Sequence, residues 1–334
     1  MFRKYILGLV LSLAAIGLFI KIVDWPAALR ALENLNYWYL PPSIFFMALP
    51  YLFRMLRWRE LLKPIKTMGY MPVFSAMSIG FLANNLLPAH LGEFVRAYLL
   101  GRSQRVSKSA VLATVVMERI YDGLVLLLML LVVLLAMEKV PQQAGALNLQ
   151  IIHAAGLLGA ALFVGLMILM QVLRYRWQAI VPFIKKISGF LGEKRQSGLL
   201  GLLESFARGL AIAGWRQLLK IAAYSLLVWV SFAIAALCLF PAFGLEVNLL
   251  AAFLLQAIIS LAMLIPSAPA YVGTFQLAAV FTLDYLGADI GVAGTYAMLL
   301  WLVSFVVSTL IGLIMLWREG LSFKDLAKAE DKNQ

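Results

Sequence analysis

The chain has 334 residues, 63% of them hydrophobic and 13% charged, with 28 Lys and Arg against 16 Asp and Glu for a formal charge of +12. A soluble domain is closer to half apolar and a quarter charged, so this composition excludes an ordinary soluble protein and points to an all-α polytopic membrane protein. The basic residues fall in the gaps between apolar runs, which is the positive-inside pattern of a membrane chain and argues against a nucleic-acid partner.

Taken in chain order, apolar runs of spanning character are expected at 5–20, 39–53, 71–87, 110–137, 149–173, 219–240, 249–265 and 293–317, with shorter pieces at 89–100 and 274–287. The first run has the look of a signal peptide, but no small-x-small cleavage site follows it, and it is read as an uncleaved helix. The single cysteine, Cys238, excludes an internal disulfide. "YLFRMLRWRELLKPIK" (51–66) is read as an interfacial anchor, with Trp and Arg at head-group level. The stretch 174–216 mixes basic and apolar residues at helical spacing and is read as one or two helices lying on the anionic inner leaflet.

Charge parity gives a topology. Gaps rich in Lys and Arg follow the second run, follow residue 100 and fill 174–220, where nine basic residues face two Glu. The gaps at 21–38, 138–148, 241–248 and 284–292 carry no such excess. Residues 67–95 therefore leave and return on the basic, cytoplasmic side, and 249–287 do the same from the other side. The reading is six full crossings with both termini cytoplasmic, plus two re-entrant helical hairpins of opposite orientation. The transmembrane domain spans 1–320, with inverted halves at about 1–137 and 149–317, and 321–334 form a short cytoplasmic tail. Both hairpin tips carry a related string, "PAHLGEF" (88–94) and "PAYVGTF" (269–275). Interrupted helices at matching places in inverted halves are the sequence pointer to a transporter's central site.

The tips supply the candidate residues. Pro88, Gly92, Pro266, Pro269 and Gly273 are assigned to the turn itself, because Pro lacks an N–H and Gly permits a tight bend. Asn84, Asn85, His90, Glu93 and Arg96 on the first hairpin, and Ser267, Tyr271, Thr274 and Gln276 on the second, are candidate head-group ligands. A helix starting just past each tip would aim free N–H groups into the membrane, where a lipid phosphate is the natural anion. Arg96 lies one turn beyond Glu93 and is placed to pair with it or to meet the phosphate. Glu93 also has a purely local reading as a first-turn complement to the helix dipole, and the Asn pair as caps. "MERIYDGLVLL" (117–127) adds Glu118 and Asp122, four apart on one helix face, and Arg119. That set is either an interfacial charge group with a snorkelling Arg119 or part of the head-group site.

"NNLLPAHLGEFVRAYLLGR", "ERIYDGL" and "IPSAPAYVGTFQLA" together resemble the lysylphosphatidylglycerol synthase transmembrane region family, also called the flippase-like domain or UPF0104 family. The likeness runs over nearly the whole chain in motif order. It implies a lipid-translocating domain of the bacterial inner membrane, whose bifunctional relatives move lysyl-phosphatidylglycerol made by a separate soluble domain. The sequence ends soon after its last apolar run, so that lipid is not assumed as the substrate. The family pattern also carries Gly and Glu where this chain has Ala270 and Gln276.

The expected function is a lipid flippase without catalysis, acting on a phospholipid or polyprenyl-linked lipid. A non-transporting partner of a lipid-synthesising enzyme is the second reading, and an intramembrane head-group enzyme using His90, Glu93, Glu118 and Asp122 the third. There is no G-x-x-x-x-G-K-[ST] and no H-E-x-x-H, and the two histidines stand at 90 and 153, so neither a metal nor a cofactor is expected. Homo-oligomerisation is left open.

Overall fold

The computed structural model describes residues 16–33, 35–86, 91–136, 176–188, 196–201, 215–263 and 268–321, with 157, 161, 165, 168, 172, 203 and 204. Among these, every regular element is a helix. In chain order they are α1 (Trp25–Glu33), α2 (Leu40–Leu62), α3 (Tyr70–Leu86), α4 (Gly92–Gln104), α5 (Lys108–Leu135), α6 (Trp177–Ile187), α7 (Trp215–Leu239), α8 (Leu249–Ala262), α9 (Thr274–Tyr285) and α10 (Ile290–Arg318). Short 3-10 turns cover Tyr37–Tyr39, Phe240–Phe243 and Pro269–Tyr271. The expected apolar runs at 5–15 and most of 149–173 lie outside the described residues, as do Pro88, His90, Pro266 and Ser267.

Local chemistry sets the helix starts. Ser107 Oγ accepts from Ala110 N, Asn248 Oδ1 from Ala251 N, and Asp289 Oδ1 from Gly291 N and Val292 N. Each satisfies amide donors that have no carbonyl partner in the first turn. α2 carries Pro in its first turn, where a missing N–H loses nothing. Trp215–Phe243 and Ile290–Arg318 are long and apolar enough to cross a membrane. At 1.5 Å per residue, the 29 residues of each reach about 43 Å, against a hydrocarbon core of about 30 Å. Their outward faces expose Leu219, Leu226, Leu302, Val306, Leu310 and Ile314, an apolar surface suited to lipid chains and not to water.

One expectation is corrected here. The basic gap after residue 53 does not begin there, because α2 continues unbroken to Leu62 and carries Arg54, Arg57 and Arg59 with it. Met47, Tyr51, Met55, Trp58 and Leu62 are all buried at helical spacing, so packing drives the helix on past its first arginine.

The helices pack closely through small residues. α7 lies along α2, where Ser43 Oγ donates to Ala235 O at 2.9 Å, and Tyr296 of α10 donates to Ala236 O at 2.7 Å. α3 and α4 form an antiparallel hairpin in which a Cβ on Gly80 would lie 2.8 Å from the Arg96 Cβ, and a Cβ on Gly92 2.6 Å from Asn84 Oδ1. A Cβ on Gly312 of α10 would meet Ser78 O of α3 at 2.9 Å. These approaches are open only to glycine, and they bring three backbones together without any bulky core residue. α8 packs on α9, α8 also packs on α5, and the turn Pro269–Tyr271 rests against α3.

That turn is strained. Ala270 has φ 56° and Tyr271 φ 59°, both in the left-handed region that L side chains avoid, and Gly273 has φ 89°. The turn is held by Trp301 Nε1, which donates to Ala270 O at 2.8 Å, and by Thr274 Oγ1, which donates to Tyr271 O at 3.0 Å. An Ala270→Gly change relieves a conformational cost of roughly 1–2 kcal/mol, partly offset by about 0.5–1 kcal/mol of extra chain entropy. We expect its thermal unfolding midpoint in detergent to rise by a small but measurable amount. A lower midpoint would show that the Ala270 methyl matters more than the backbone angle.

Candidate functional site

The densest polar feature of the structure is a layer of charges inside the helix bundle, built from α2, α4, α5 and α7. Its centre is Arg57, whose side chain is fully buried. Nη1 donates to Asp122 Oδ1 at 2.6 Å and Nη2 to Asp122 Oδ2 at 3.3 Å, a two-pronged grip. Nη2 also reaches Glu118 Oε1 at 3.2 Å, and Nη1 donates to Ser225 Oγ at 2.9 Å. Trp229 Nε1 donates to Asp122 Oδ1 at 3.0 Å. Arg96 of α4, also buried, places Nη1 2.6 Å from Glu118 Oε2. Glu118 and Asp122 thus use one face of α5, as their four-residue spacing implies, and each carboxylate is gripped by arginines.

An outer pair sits beside this inner set. Arg119 Nε lies 3.2 Å from Glu93 Oε1, and Arg119 Nη1 lies 3.7 Å from Asp122 Oδ2. These two side chains are part-exposed, 37% for Arg119 and 24% for Glu93, whereas the inner carboxylates and Arg57 are nearly sealed. The layer therefore has a closed interior and one accessible lip. Tyr271, from the second tip, is within electrostatic reach of Arg119, Glu93 and Arg54. With its turn seated on α3, the second tip stands next to the lip made by the first hairpin and α5.

Each predicted residue among the described ones has a definite place. Glu118, Arg119, Asp122, Arg96, Glu93 and Tyr271 are brought together. Of the two expected roles of Arg96, pairing with Glu93 or meeting a phosphate, the first is replaced by two cross-helix pairs, because Arg96 turns inward to Glu118 while Glu93 stays at the lip. The amides serve the scaffold. Asn84 Oδ1 accepts from Gly92 N at 2.8 Å and closes the first tip, while Asn85 Nδ2 donates to Ser308 Oγ and Thr309 Oγ1 on α10. Gln276 Oε1 accepts from Gly273 N at 2.7 Å and closes the second tip in the same way. In both hairpins a side-chain amide oxygen thus satisfies the amide of the tip glycine, which deepens the likeness between the two strings. Thr274 is occupied by the Tyr271 carbonyl.

Arg54 and Arg57 were absent from the sequence-derived site, because 51–66 read as an interfacial anchor. Trp58 likewise sits inside the bundle, donating from Nε1 to Thr114 Oγ1 at 2.8 Å, with the Arg96 guanidinium 5.0 Å from its ring. The end of that segment is held by local contacts. Lys63 pairs with Glu60 at 2.7 Å, and Arg59 donates to Met68 O at 2.8 Å while lying over Tyr70. In the 174–216 segment, α6 is confirmed as a helix with Lys185 and Lys186 in its last turn and Phe183 and Ile187 exposed.

Among the described residues, no cluster of three or more His, Cys, Asp or Glu is placed to hold a metal ion. The arrangement is suited to holding an anion through guanidinium groups and to excluding water around it. No curated protein and no solved structure gives a significant match. The family model of the lysylphosphatidylglycerol synthase TM region matches residues 5–312, which takes in every element of the charged layer and both tips. The chain therefore belongs to the lysylphosphatidylglycerol synthase TM region family and is a membrane protein.

Proposed function

We propose that this protein is a lipid translocase of the bacterial inner membrane, and that the lip formed by Arg119, Glu93 and Tyr271 receives the lipid head group. The observation carrying the proposal is the convergence of both interrupted helices on one part-open charged layer. An arginine-rich cluster within apolar helices is costly unless it serves a substrate or ion path. The lipid-facing surfaces of α7 and α10 allow acyl chains to remain in the bilayer while the head group passes between the hairpins.

The topology that goes with this reading has six crossings, at 5–20, α2, α5, 149–173, α7 and α10, and two re-entrant hairpins, α3–α4 and α8–α9. Both termini are cytoplasmic under this reading, and the strong exposure of Trp38 and Trp317 supports assigning them to the outer and inner interfaces. The cluster is read as a binding device and not a catalytic one, because Glu118 and Asp122 are each held by arginines and so are poorly placed to exchange protons. Partners under this reading are membrane lipids and an enzyme that makes the transported lipid.

The test is purified protein in liposomes of stated composition, with transbilayer movement followed for head-group-labelled phosphatidylglycerol, phosphatidylethanolamine and a polyprenyl phosphate. Movement of one class above protein-free vesicles is the expected result. Movement of none of them, together with co-purification of a lipid-modifying enzyme, would replace the proposal with a partner-subunit role.

A further inference from the structure

Arg54 stands one turn before Arg57 on α2 and differs from the other arginines of the layer. Arg57, Arg96 and Arg119 each have a carboxylate oxygen within 4 Å. Among the described residues none lies that close to Arg54, whose buried Nε, like those of Arg57, Arg96 and Arg119, has no hydrogen-bond acceptor. Its guanidinium is walled instead by aromatic rings, at 5.0 Å from the Phe81 centroid, 5.1 Å from Phe232 and 5.9 Å from Trp229. Cation–π contacts of this kind contribute about 0.5–2 kcal/mol each and leave the donor edge of the guanidinium unused. The charge count agrees. Four arginines (54, 57, 96 and 119) face three carboxylates (Glu93, Glu118 and Asp122), leaving one positive charge in an apolar bundle. A part-exposed charge with no carboxylate beside it at this apolar surface is stabilised when an anion completes it. Arginine's planar fork suits a phosphate in particular.

We infer that Arg54 is the primary ligand-binding residue of this site, and that its ligand is a phosphodiester carrying a single negative charge, held between Arg54 and Arg119 on the side faced by Tyr271. The inference rests on the translocase reading and narrows its substrate. A phosphodiester cancels the one surplus charge, whereas a diphosphate brings at least one negative charge too many. Glu93 acts here as a resident carboxylate that occupies Arg119 until the phosphate arrives. Phe81, Trp229 and Phe232 fix the direction of the part-exposed Arg54 guanidinium, so that little ordering is needed at binding. The same chemistry is offered by a lipid head group and by free phosphate, and the apolar aromatic surroundings favour the lipid.

The experiment compares the full-length protein with Arg54→Gln and Arg54→Lys in detergent. Thermal unfolding and Trp fluorescence, which reports on Trp229, are followed against dioctanoyl phosphatidylglycerol, dioctanoylglycerol, inorganic phosphate and farnesyl diphosphate. The wild type is expected to bind dioctanoyl phosphatidylglycerol at least tenfold more tightly than inorganic phosphate or farnesyl diphosphate, with no response to dioctanoylglycerol. Arg54→Gln should lose at least tenfold in that affinity. Arg54→Lys should fall between, since it keeps the charge without the planar fork. Without ligand, Arg54→Gln should unfold no earlier than the wild type, because it removes a part-exposed charge with no carboxylate beside it; a purely structural arginine would lower the midpoint. Unchanged phosphatidylglycerol affinity in Arg54→Gln, a midpoint lowered without ligand, or tighter binding of farnesyl diphosphate would each overturn the inference. Should wild-type liposomes still move lipid in that event, the translocase reading stands without it. If the wild type neither binds nor moves a phosphodiester lipid, both fail.

Discussion

Replacing Arg57 by Met is expected to destabilise the protein more than any other single change in the charged layer. Among the described residues Arg57 is the one group that touches both Asp122 and Glu118, and no solvent reaches it. Removing it leaves Asp122 with Trp229 and a distant Arg119, and leaves Glu118 with Arg96 alone. Breaking one side of a buried ion pair costs about 3–5 kcal/mol, most of it from the carboxylate left without its counter-charge. The check is thermal unfolding in a fixed detergent. The single variant should fall by many degrees, and Arg57→Met combined with Asp122→Asn should regain a large part of the loss, because the stranded charge is then gone. The two changes are in contact, so their effects are expected to be strongly non-additive. A single variant within a degree or two of the wild type would mean that the inner layer is not a coupled network.

Arg119→Gln should behave in the opposite manner. Its guanidinium is part-exposed and its pair with Glu93 sits at the lip, where an ion pair contributes only about 0–1 kcal/mol to stability. The unfolding midpoint should therefore move little. Lipid movement in liposomes should fall by tenfold or more, since the loss of one charge-assisted contact to a phosphate is worth about 1.5–3 kcal/mol and each 1.4 kcal/mol is a factor of ten. A neighbouring Glu93→Gln change separates competition from support. If Glu93 is a resident stand-in for the phosphate, its loss tightens lipid binding while Arg119→Gln weakens it. Wild-type movement in Arg119→Gln would remove the lip from the transport path.

Much of this architecture could be read before the structure, because membrane chains write their helices as apolar runs. The helix starts at Gly92 and Thr274 were also legible, from the closely spaced Pro and Gly just before each. The four-residue spacing of Glu118 and Asp122 correctly put both on one face. Two features were hidden, each for a physical reason. Arg54 and Arg57 sat beside Trp58 in a stretch with the composition of a head-group anchor, and composition cannot show that a helix continues. The signal that could have shown it is the apolar series Met47, Tyr51, Met55, Trp58 and Leu62, which keeps helical period straight through the arginines. The partner of Arg96 was hidden because i,i+3 spacing makes Glu93 a neighbour, while the choice of Glu118 depends on how α4 rolls against α5. α4 is seated on α3 by the glycine contacts at Gly80 and Gly92 and on α5 by Gly101 against Lys108, and their tightness appears only in three dimensions. The tip amides illustrate the same limit. Asn84 and Gln276 look like ligands in sequence, and both are engaged in closing their own turns.

The central claim is that a lipid head group enters where the second tip meets the charged lip. The most direct test places a photoreactive benzoylphenylalanine at Tyr271, irradiates the protein in its native membrane and identifies the adduct by mass spectrometry. The same probe at Phe275, which is buried four residues further on, serves as the control. The account predicts a phospholipid adduct at 271, absent at 275 and greatly reduced when Arg119→Gln is combined with the probe. A probe at 271 that yields only protein crosslinks, or the same lipid yield with and without Arg119, would contradict it.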